Sequence, residues 1–335
     1  MSIVMTGGGT GGHLAIIKAV KEHLKGEELI YIGSTKGQDK QWFEHDDDFK
    51  EKYFFDTRGV VNQKGLGKFK SLWMMFQAMR QARKLLKKHQ ARVVFSVGGF
   101  SSAATAFAAK SMGIPLVVHE QNAALGSLNK LMKPYSKAFI SSYLDESPIK
   151  AYPIKKIFFE NARIRSEVKT IIFLGGSQGA KAINALALEI APELKKRGIR
   201  IIHQAGQNNI DEVQKAYDAL GIEAEVFGFT DKLAEYMKVA DLAIARAGAS
   251  TLWELSATAL PTLFIPYPYA ASDHQFYNAQ FLVEKNLAWL MREKEIDTQK
   301  VLALLDEDLT ERSKGLMEIV EKEGSEKIAQ LLTQI

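Results

Sequence analysis

The chain of 335 residues contains no cysteine, so it can form no disulfide, no thiolate metal site and no cysteine nucleophile. A chain without cysteine suits a reducing compartment, and its first residues lack the cationic start and apolar stretch of a signal peptide. Long apolar runs are missing too, because glycines and serines interrupt the uncharged stretch over residues 93–109. We therefore expect a cytoplasmic protein whose chain does not cross a membrane.

Acidic residues are absent from residues 57–119, an interval that contains eleven lysines and arginines. Residues 1–152 carry a net charge of +9, whereas the rest of the chain carries −4. Such a basic surface favours polyanionic partners. We do not expect nucleic acid to be one of them, because aromatic side chains are not interleaved with the charges as they are in grooves that bind single strands.

Motifs for metal-dependent chemistry are also lacking. No P-loop follows a predicted strand, and no His or Glu pair at i, i+4 spacing suggests a metal site. Three aspartates at residues 46–48 could suggest carboxylates around a divalent ion, but the surrounding polar sequence predicts a solvated loop. We expect no metal and no cofactor, so backbone N–H groups, helix dipoles and cationic side chains must stabilise any diphosphate.

Two glycine-rich loops are prominent instead. Glycine occupies five of the six positions at residues 7–12, which follow an apolar strand, Ser2–Thr6, and precede a helical pattern over residues 14–24. The same order recurs half a chain later, with a strand Thr170–Leu174, a glycine loop over residues 175–179 and a helix through residue 188. The two halves are therefore predicted to share one architecture.

Strands and helices continue to alternate in both halves, which predicts parallel sheets. A chain of 335 residues exceeds what one core usually holds, and Pro148 and Pro153 mark a linker around Tyr152. The predicted fold class is α/β, with two Rossmann-like doubly wound domains and a ligand-binding cleft between them.

Gly7, Gly9 and Gly12 formally satisfy the dinucleotide fingerprint, in which glycine lets a pyrophosphate approach a helix N-terminus. That fingerprint also requires an acid after the next strand, whereas the strand over residues 29–32 runs into Gly33 and Ser34. A nicotinamide-dependent enzyme is therefore disfavoured. The structural alternative is that the glycines only make a tight connection.

Five spaced motifs cover nearly the whole chain. They are Gly-Gly-Thr-Gly-Gly-His at residues 8–13, His-Glu-Gln-Asn at 119–122, Gly-Gly-Ser-Gln-Gly-Ala at 175–180, Arg-Ala-Gly-Ala-Ser-Thr at 246–251 and Asp-His-Gln-Phe-Tyr-Asn-Ala at 273–279. Together they resemble the MurG family of peptidoglycan transferases, which convert lipid I to lipid II. The resemblance implies a GT-B fold, in which residues 1–152 and a C-terminal helix over residues 323–335 bind acceptor and membrane. Residues 153–322 then bind UDP-N-acetylglucosamine.

The resemblance also implies which residues contact the donor. Ser177 meets the diphosphate, Glu254 the ribose hydroxyls and Gln275 the sugar. Lys155 lies where many members carry an arginine. The full implied set is Thr10, Gly11, Gly12, Asn122, Lys155, Ser177, Thr230, Ala249, Ser250, Thr251, Leu252, Trp253, Glu254 and Gln275. As a structural alternative, Thr251 and Glu254 have the spacing of a capping box at a helix start.

The implied reaction is a single inverting displacement. The C4 hydroxyl of N-acetylmuramic acid in lipid I attacks the anomeric carbon of N-acetylglucosamine, and UDP leaves, so only one base is needed. His13 is the leading candidate, because a helix N-terminus disfavours imidazolium and leaves a ring nitrogen free to accept a proton. Glu120 is the alternative base. The rival functions are a UDP-N-acetylglucosamine 2-epimerase and a non-catalytic nucleotide-sugar-binding subunit.

The basic interval also predicts a membrane-facing helix. Residues 64–88 have aromatic residues at helical spacing flanked by lysines, a pattern that combines apolar insertion with attraction to anionic phospholipid. The residues of this predicted membrane face are Lys64, Lys68, Phe69, Lys70, Trp73 and Phe76. The alternative is a stripe that faces the protein core. We expect a peripheral protein on the cytoplasmic face of the inner membrane.

Overall fold

The computed structural model describes residues 1–57, 66–176 and 178–335, and the side chains of residues 66–70 and 72 are not described. The chain divides into two compact units. Met1–Pro153 and Glu323–Ile335 form the first unit, and Ile154–Lys322 forms the second. The predicted site residues outside the described part are Lys64 and Ser177 and, for their side chains, Lys68, Phe69 and Lys70.

The first unit contains a sheet of six parallel strands. They are β1 (Ser2–Thr6), β2 (Glu28–Ser34), β3 (Glu51–Phe55), β4 (Ala91–Ser96), β5 (Leu116–Glu120) and β6 (Ala138–Ser141). Their order in the sheet is β3-β2-β1-β4-β5-β6. Every residue of β1 and β5 is buried, as expected for central parallel strands that helices cover on both faces.

In the described part of the first unit, five α-helices connect these strands. They are α1 (Gly11–Lys21), α2 (Asp39–Phe43), α3 (Leu66–Lys88), α4 (Ala103–Met112) and α5 (Ser127–Met132). Helices α3 and α4 pack against each other. Ala78, Ala82 and Leu86 give α3 a face that is buried in the core of this unit.

The second unit repeats this plan. Its strands are β7 (Thr170–Leu174), β8 (Arg200–Gln204), β9 (Ala224–Phe227), β10 (Leu242–Ala245), β11 (Thr262–Phe264) and β12 (Trp289–Leu290). They lie in the order β12-β11-β10-β7-β8-β9 and are all parallel. The two sheets therefore share one doubly wound topology.

Among the described residues of the second unit, eight α-helices accompany the sheet. They are α6 (Lys156–Glu160), α7 (Lys181–Lys196), α8 (Ile210–Ala219), α9 (Leu233–Val239), α10 (Ala249–Ala257), α11 (His274–Val283), α12 (Thr298–Ala303) and α13 (Thr310–Ile319). The last helix, α14 (Gly324–Gln334), belongs to the first unit and packs on α1.

In both sheets the strand order reverses beside the first strand of the unit, between β1 and β4 and between β7 and β10. The loops that leave the carboxyl ends of such strands border the crevice where doubly wound sheets bind ligands. Both glycine loops follow one of these strands, so each unit has a glycine loop at its topological switch point.

The structure confirms the predicted α/β class and moves several boundaries. Helix α1 begins at Gly11, because both glycines before His13 are part of its first turn. Helix α7 continues past Pro192 to Lys196. Strand β3 was not predicted, since it lies at the sheet edge and four of its five residues are only partly buried.

Arg165 is a buried residue of the second unit that sequence reasoning did not single out. It is 1% exposed, and its guanidinium donates hydrogen bonds to the carbonyl oxygens of Ala240 and Met237, both at 2.8 Å, and of Thr258. Met237 lies near the end of α9 and Thr258 follows α10 directly. Arg165 thus supplies donors for carbonyl groups that have no partner within their helices.

Replacing Arg165 by methionine is expected to destabilise the second unit by about 3–5 kcal/mol, because several buried carbonyl groups lose a charged donor. Urea unfolding followed by tryptophan fluorescence measures the change. Arg197→Met is the matched control, since Arg197 is a surface residue paired with Glu193 and Asp306 and should contribute less than about 1 kcal/mol. Equal stability losses in the two variants would contradict the account.

Candidate active site

The loop after β1 requires glycine for backbone reasons. Gly7 and Gly9 have φ values of 126° and 85°, which L side chains rarely adopt. A Cβ at Gly9 would also lie 2.7 Å from the ring of Phe100. A tight connection therefore accounts for these two glycines, whereas Gly11 and Gly12 lie in the helix that follows.

The N-terminus of α1 offers positive potential at the end of this loop. Gly11, Gly12 and His13 are its first residues, and the N-cap residue Thr10 makes no side-chain capping hydrogen bond. The first N–H groups of a helix have no intrahelical acceptor, and the helix dipole adds to their potential. No acidic residue lies in this first turn. The helix start therefore favours a bound anion and a neutral imidazole at His13.

The imidazole of His13 contacts polar groups from two loops. Its Nδ1 lies 2.9 Å from Thr10 Oγ1, and the side-chain amide nitrogen of Gln121 lies 3.1 Å from its Nε2. The residue is partly exposed. The structure therefore brings the first glycine loop and the loop after β5 together at His13. Gln121 was not predicted as a site residue, and its only signal was its place inside the motif at residues 119–122.

Glu120 organises the loop that follows β5. The residue is 2% exposed. Its Oε1 accepts a hydrogen bond from the Asn122 N–H at 3.0 Å, and its Oε2 accepts from the Gly126 N–H at 2.8 Å and from Asn129 Nδ2 at 2.9 Å. The carboxylate would have to give up some of these bonds before it could accept a proton from an acceptor hydroxyl.

His119 is fully buried at the end of β5. Burial and, to a smaller extent, the nearby His13 together lower the pKa of His119 to about 3. Its ring meets that of Tyr152 edge-on, with the centroids 5.7 Å apart. A neutral His119 therefore packs behind the site and carries no charge at neutral pH.

In the second unit, the loop after β7 is equally tight. Gly176 and Gly179 both have a φ of 79°, and a Cβ at Gly179 would lie 2.4 Å from the Ala205 carbonyl oxygen. The N-cap residue of α7, Ala180, has no side chain that could cap the helix. The N–H groups at this helix start are thus suited to an anion, next to the predicted diphosphate contact Ser177, which lies outside the described residues.

Helix α10 carries a continuous run of predicted donor contacts. These are Ala249, Ser250, Thr251, Leu252, Trp253 and Glu254. The helix begins at Ala249 with Gly248 as its N-cap residue. Thr251 therefore lies inside the helix and Glu254 follows one turn later, so neither occupies a capping position. The capping-box alternative for Thr251 and Glu254 is wrong.

The Glu254 carboxyl group is desolvated, although the residue as a whole keeps some exposure. Burial raises the pKa of Glu254 to about 8, and the charge of Lys155 partly opposes this shift. Lys155 is exposed at the start of α6. The structure thus brings together the predicted ribose contact and the lysine at the position of the family arginine.

Helix α11 is tied to the loop that precedes α10. Asn278 Nδ2 donates a hydrogen bond to the Ala247 carbonyl oxygen at 3.2 Å. Gln275, the second residue of α11, accepts a hydrogen bond at its Oε1 from the Tyr267 N–H at 2.9 Å. Thr230 lies apart from these residues, in the loop after β9, and its Oγ1 accepts from the Lys232 N–H.

Helix α3 presents aromatic residues on its outer face. Trp73 is 61% exposed and Phe76 is 45% exposed, with ring centroids 6.0 Å apart, and the Arg80 guanidinium lies 5.9 Å from the Phe76 ring. Met75 and Met79 pack against the core of the first unit instead. A core-facing stripe therefore explains the methionines but not the exposed aromatic pair. None of the described helices is both long and apolar enough to cross a bilayer.

Two of the three consecutive aspartates neutralise a buried lysine. Asp46 and Asp48 each lie 2.6 Å from Nζ of Lys21, which is 6% exposed. The segment is a loop that is largely exposed to solvent, as predicted, and two of its carboxylates also pair with Lys21. Across residues 1–57, 66–176 and 178–335, no cluster of three or more His, Asp or Glu side chains could hold a metal ion.

Comparison with known families matches both halves of the chain. Residues 3–141 match the glycosyltransferase family 28 N-terminal domain, and residues 170–332 match the glycosyltransferase family 28 C-terminal domain. The first match lies within the first unit, and the second covers most of the second unit and continues into α14.

Curated relatives share the full length of the chain. It is 82% identical over 332 residues to the UDP-N-acetylglucosamine–N-acetylmuramyl-(pentapeptide) pyrophosphoryl-undecaprenol N-acetylglucosamine transferase of Sulfurovum sp. (strain NBC37-1), covering 99% of this chain and 98% of the relative. The transferase of the same name from Wolinella succinogenes is 52% identical, with 99% of each chain covered. The crystal structure of Acinetobacter baumannii MurG has a similar fold, with a TM-score of 0.82 at 23% identity over 100% of this chain and 99% of the other.

Proposed function

Because the chain belongs to the MurG family within glycosyltransferase family 28, we infer that it transfers N-acetylglucosamine from UDP-N-acetylglucosamine to lipid I. Lipid I is the N-acetylmuramyl-(pentapeptide) pyrophosphoryl-undecaprenol in the names of its relatives. The observation that carries this inference is 82% identity over almost the whole chain. The chain is thus a hexosyltransferase of peptidoglycan synthesis, and its relatives favour neither an epimerase nor a binding subunit.

We propose that the second unit binds the donor. Three observations support this: the uncapped start of α7 beside a glycine loop, the desolvated carboxyl of Glu254, and the nearby charge of Lys155. A carboxylate can accept hydrogen bonds from both ribose hydroxyls, and such charge-assisted bonds are roughly twice as strong as neutral ones. Lys155 then adds positive charge for the diphosphate, without the two-pronged geometry of arginine.

The first unit holds the acceptor, with His13 as the base. Its ring is partly exposed at the positive end of α1, where imidazolium is disfavoured. Glu120, in contrast, is engaged in hydrogen bonds from Asn122, Gly126 and Asn129 that shape its loop. His13 takes the proton from the C4 hydroxyl as the oxygen attacks the anomeric carbon. The bond from that carbon to the diphosphate oxygen breaks with inversion, and UDP leaves with the electron pair.

A single assay tests this function against its rivals. The purified protein is incubated with labelled UDP-N-acetylglucosamine and lipid I, with and without a chelator. We expect the label to move to the lipid fraction with release of one UDP per sugar, and the chelator to have no effect. Conversion of the donor without lipid I would identify an epimerase, whereas unchanged donor would leave only a binding subunit.

The exposed aromatic pair and basic residues of α3 form the surface through which the protein meets anionic phospholipid. Inserting one aromatic side chain into an apolar environment contributes about 1.5–3 kcal/mol. Each nearby lysine or arginine adds about 1 kcal/mol at an anionic surface. Trp73, Phe76 and Arg80 support this proposal by their exposure and proximity. The protein then lies peripherally at the cytoplasmic face of the inner membrane, where lipid I is presented.

Replacing Trp73 and Phe76 together by serine is expected to weaken binding to anionic vesicles by about tenfold or more, because the inserted apolar area is lost. Sedimentation with phosphatidylglycerol vesicles at low and high salt measures the effect. Met317→Ser is the control, since Met317 is 45% exposed in the second unit and should not change sedimentation. Unchanged binding of the double variant would contradict the proposed surface.

A further inference from the structure

Asp39 is a buried carboxylate beneath the first glycine loop. It is 0% exposed at the first position of α2. Its Oδ2 accepts a hydrogen bond from the Gly9 N–H at 2.6 Å. Its Oδ1 accepts from the Ser34 N–H at 3.0 Å and from the Tyr31 hydroxyl at 3.1 Å. Both oxygens are therefore committed to donors within the protein.

The backbone around Asp39 leaves room for this carboxylate alone. A Cβ at Gly8 would lie 2.5 Å from Asp39 Oδ1, and a Cβ at Gly33 would lie 2.7 Å from the same atom. The hydroxyl of Tyr31, which is itself fully buried, also lies 2.9 Å from the Gly7 carbonyl oxygen, so its single proton is shared between that oxygen and Asp39 Oδ1. Gly8 therefore makes room for an internal acid, and that acid already accepts the Gly9 N–H.

Burying a carboxylate such as that of Asp39 lowers the stability of the folded protein unless hydrogen-bond donors are well placed around it. Removing a carboxylate from water without compensation is strongly unfavourable, and an apolar side chain of similar size would fill the space at less cost. The hydrogen bonds of Asp39 hold Gly9 to the end of β2 and the start of α2. The buried carboxylate of Asp39 therefore fixes the position of the glycine loop.

A short path leads from Asp39 to the imidazole of His13. Gly9, held by Asp39, directly precedes Thr10, whose extended backbone leads into α1. Thr10 Oγ1 lies 2.9 Å from His13 Nδ1. A shift of Gly9 therefore moves Thr10, and with it the hydrogen bond that orients the His13 ring.

We propose that Asp39 is a positioning residue of the active site, which through the Gly9 N–H holds the glycine loop so that Thr10 and His13 keep the arrangement that sugar transfer needs. The proposal rests on the role of His13 proposed above. Asp39 touches no substrate in this account, and its effect on the reaction passes through the loop.

The test is Asp39→Asn in the full-length protein. An asparagine has one acceptor oxygen and a donating NH2 group, so it cannot satisfy the donors on both sides of the site. We expect turnover to fall about 10- to 100-fold, because small displacements of a catalytic group have effects of this size. The Kd for UDP-N-acetylglucosamine should stay within about twofold, since Glu254 and Lys155 of the second unit are the proposed ribose and diphosphate contacts. In a His13→Ala background the additional loss should shrink to about twofold, because coupled residues act as one unit.

Asp46→Asn is the matched control, since Asp46 is a carboxylate of the same unit that pairs with Lys21 away from the loop. It should leave turnover within about twofold of the unmodified protein, as expected for an independent site. Tyr31→Phe, which removes one donor to Asp39 and keeps the ring, replaces Asp39→Asn if that variant fails to fold. It should lower turnover in the same direction and lose its effect in the His13→Ala background.

Two outcomes would overturn the proposal: turnover of Asp39→Asn equal to that of Asp46→Asn, or an undiminished loss in the His13→Ala background. The amide proton resonance of Gly9 gives a readout that does not depend on activity. Its short bond to a carboxylate should place it far downfield, and Asp39→Asn but not Asp46→Asn should move it upfield. If the unmodified protein transfers no sugar, the proposed function fails, and this resonance still decides whether Asp39 holds the loop.

Discussion

Replacing His13 by alanine is expected to lower turnover about 10²–10⁴-fold, the usual contribution of a positioned base, while UDP-N-acetylglucosamine still binds with near-normal affinity. The chemical step loses its proton acceptor, whereas Glu254 and Lys155, the proposed contacts of the donor ribose and diphosphate, lie in the other unit. Steady-state transfer of labelled sugar to lipid I gives the turnover, and calorimetry gives the donor affinity.

His45→Ala is the control for this experiment, because His45 is an exposed imidazole of the same unit. It should leave both quantities unchanged. If His13→Ala keeps more than about a tenth of the turnover, the loss is too small for a catalytic base. Glu120 would then be the candidate for the base. In that case Glu120→Gln should abolish transfer without loss of folding, although Glu120 also shapes the loop through Gly126 and Asn129.

Replacing Glu254 by alanine is expected to weaken donor binding about 10- to 100-fold, because hydrogen bonds to a charged group contribute about 1.5–3 kcal/mol. The melting temperature should not fall, since the desolvated carboxyl stabilises neither a helix cap nor the core. Glu284→Ala removes an exposed carboxylate of the same unit and should leave the affinity unchanged. Unchanged affinity in Glu254→Ala would contradict the ribose contact.

Because the pKa of Glu254 is raised, we expect both the stability of the protein and its donor binding to depend on pH. Burial raises this pKa to about 8. In the folded protein without donor, the Glu254 carboxyl therefore stays protonated up to a higher pH than in the unfolded chain. Stability therefore falls as pH rises from the ordinary pKa of a glutamate towards 8, and Glu254→Gln should remove that fall. Donor binding that needs the carboxylate should weaken about tenfold for each pH unit below 8, and Glu254→Gln should show no such slope.

Much of the fold could be predicted because its signals are local. Apolar strands such as Ser2–Thr6 and Thr170–Leu174 each run into a glycine cluster and then a helical pattern, and the structure has both units in that form. The edge strand β3 was not predicted, because its sequence pattern alone does not indicate a strand. It forms a strand through its pairing with β2. The start of α1 was misplaced because glycine has low intrinsic helix propensity.

Residues of the site could be predicted only where they lie in recognisable motifs. His13 and Glu120 stand in recognisable motifs, but the contact between Gln121 and His13 depends on β1 and β5 lying in one sheet with β4 between them. The desolvation of Glu254 likewise comes from the packing around α10. The role of Asp39 could not be predicted from the sequence. Its hydrogen-bond donors, Gly9, Tyr31 and Ser34, come close to it only in the folded protein.

The structure of the product tests the central claim most directly. After incubation with UDP-N-acetylglucosamine and lipid I, the lipid fraction is delipidated and the disaccharide is analysed by NMR. The account predicts one N-acetylglucosamine linked through a β bond to C4 of N-acetylmuramic acid, because a single displacement inverts the α configuration of the donor. An α linkage, a bond to another hydroxyl, or a donor epimerised without transfer would contradict it.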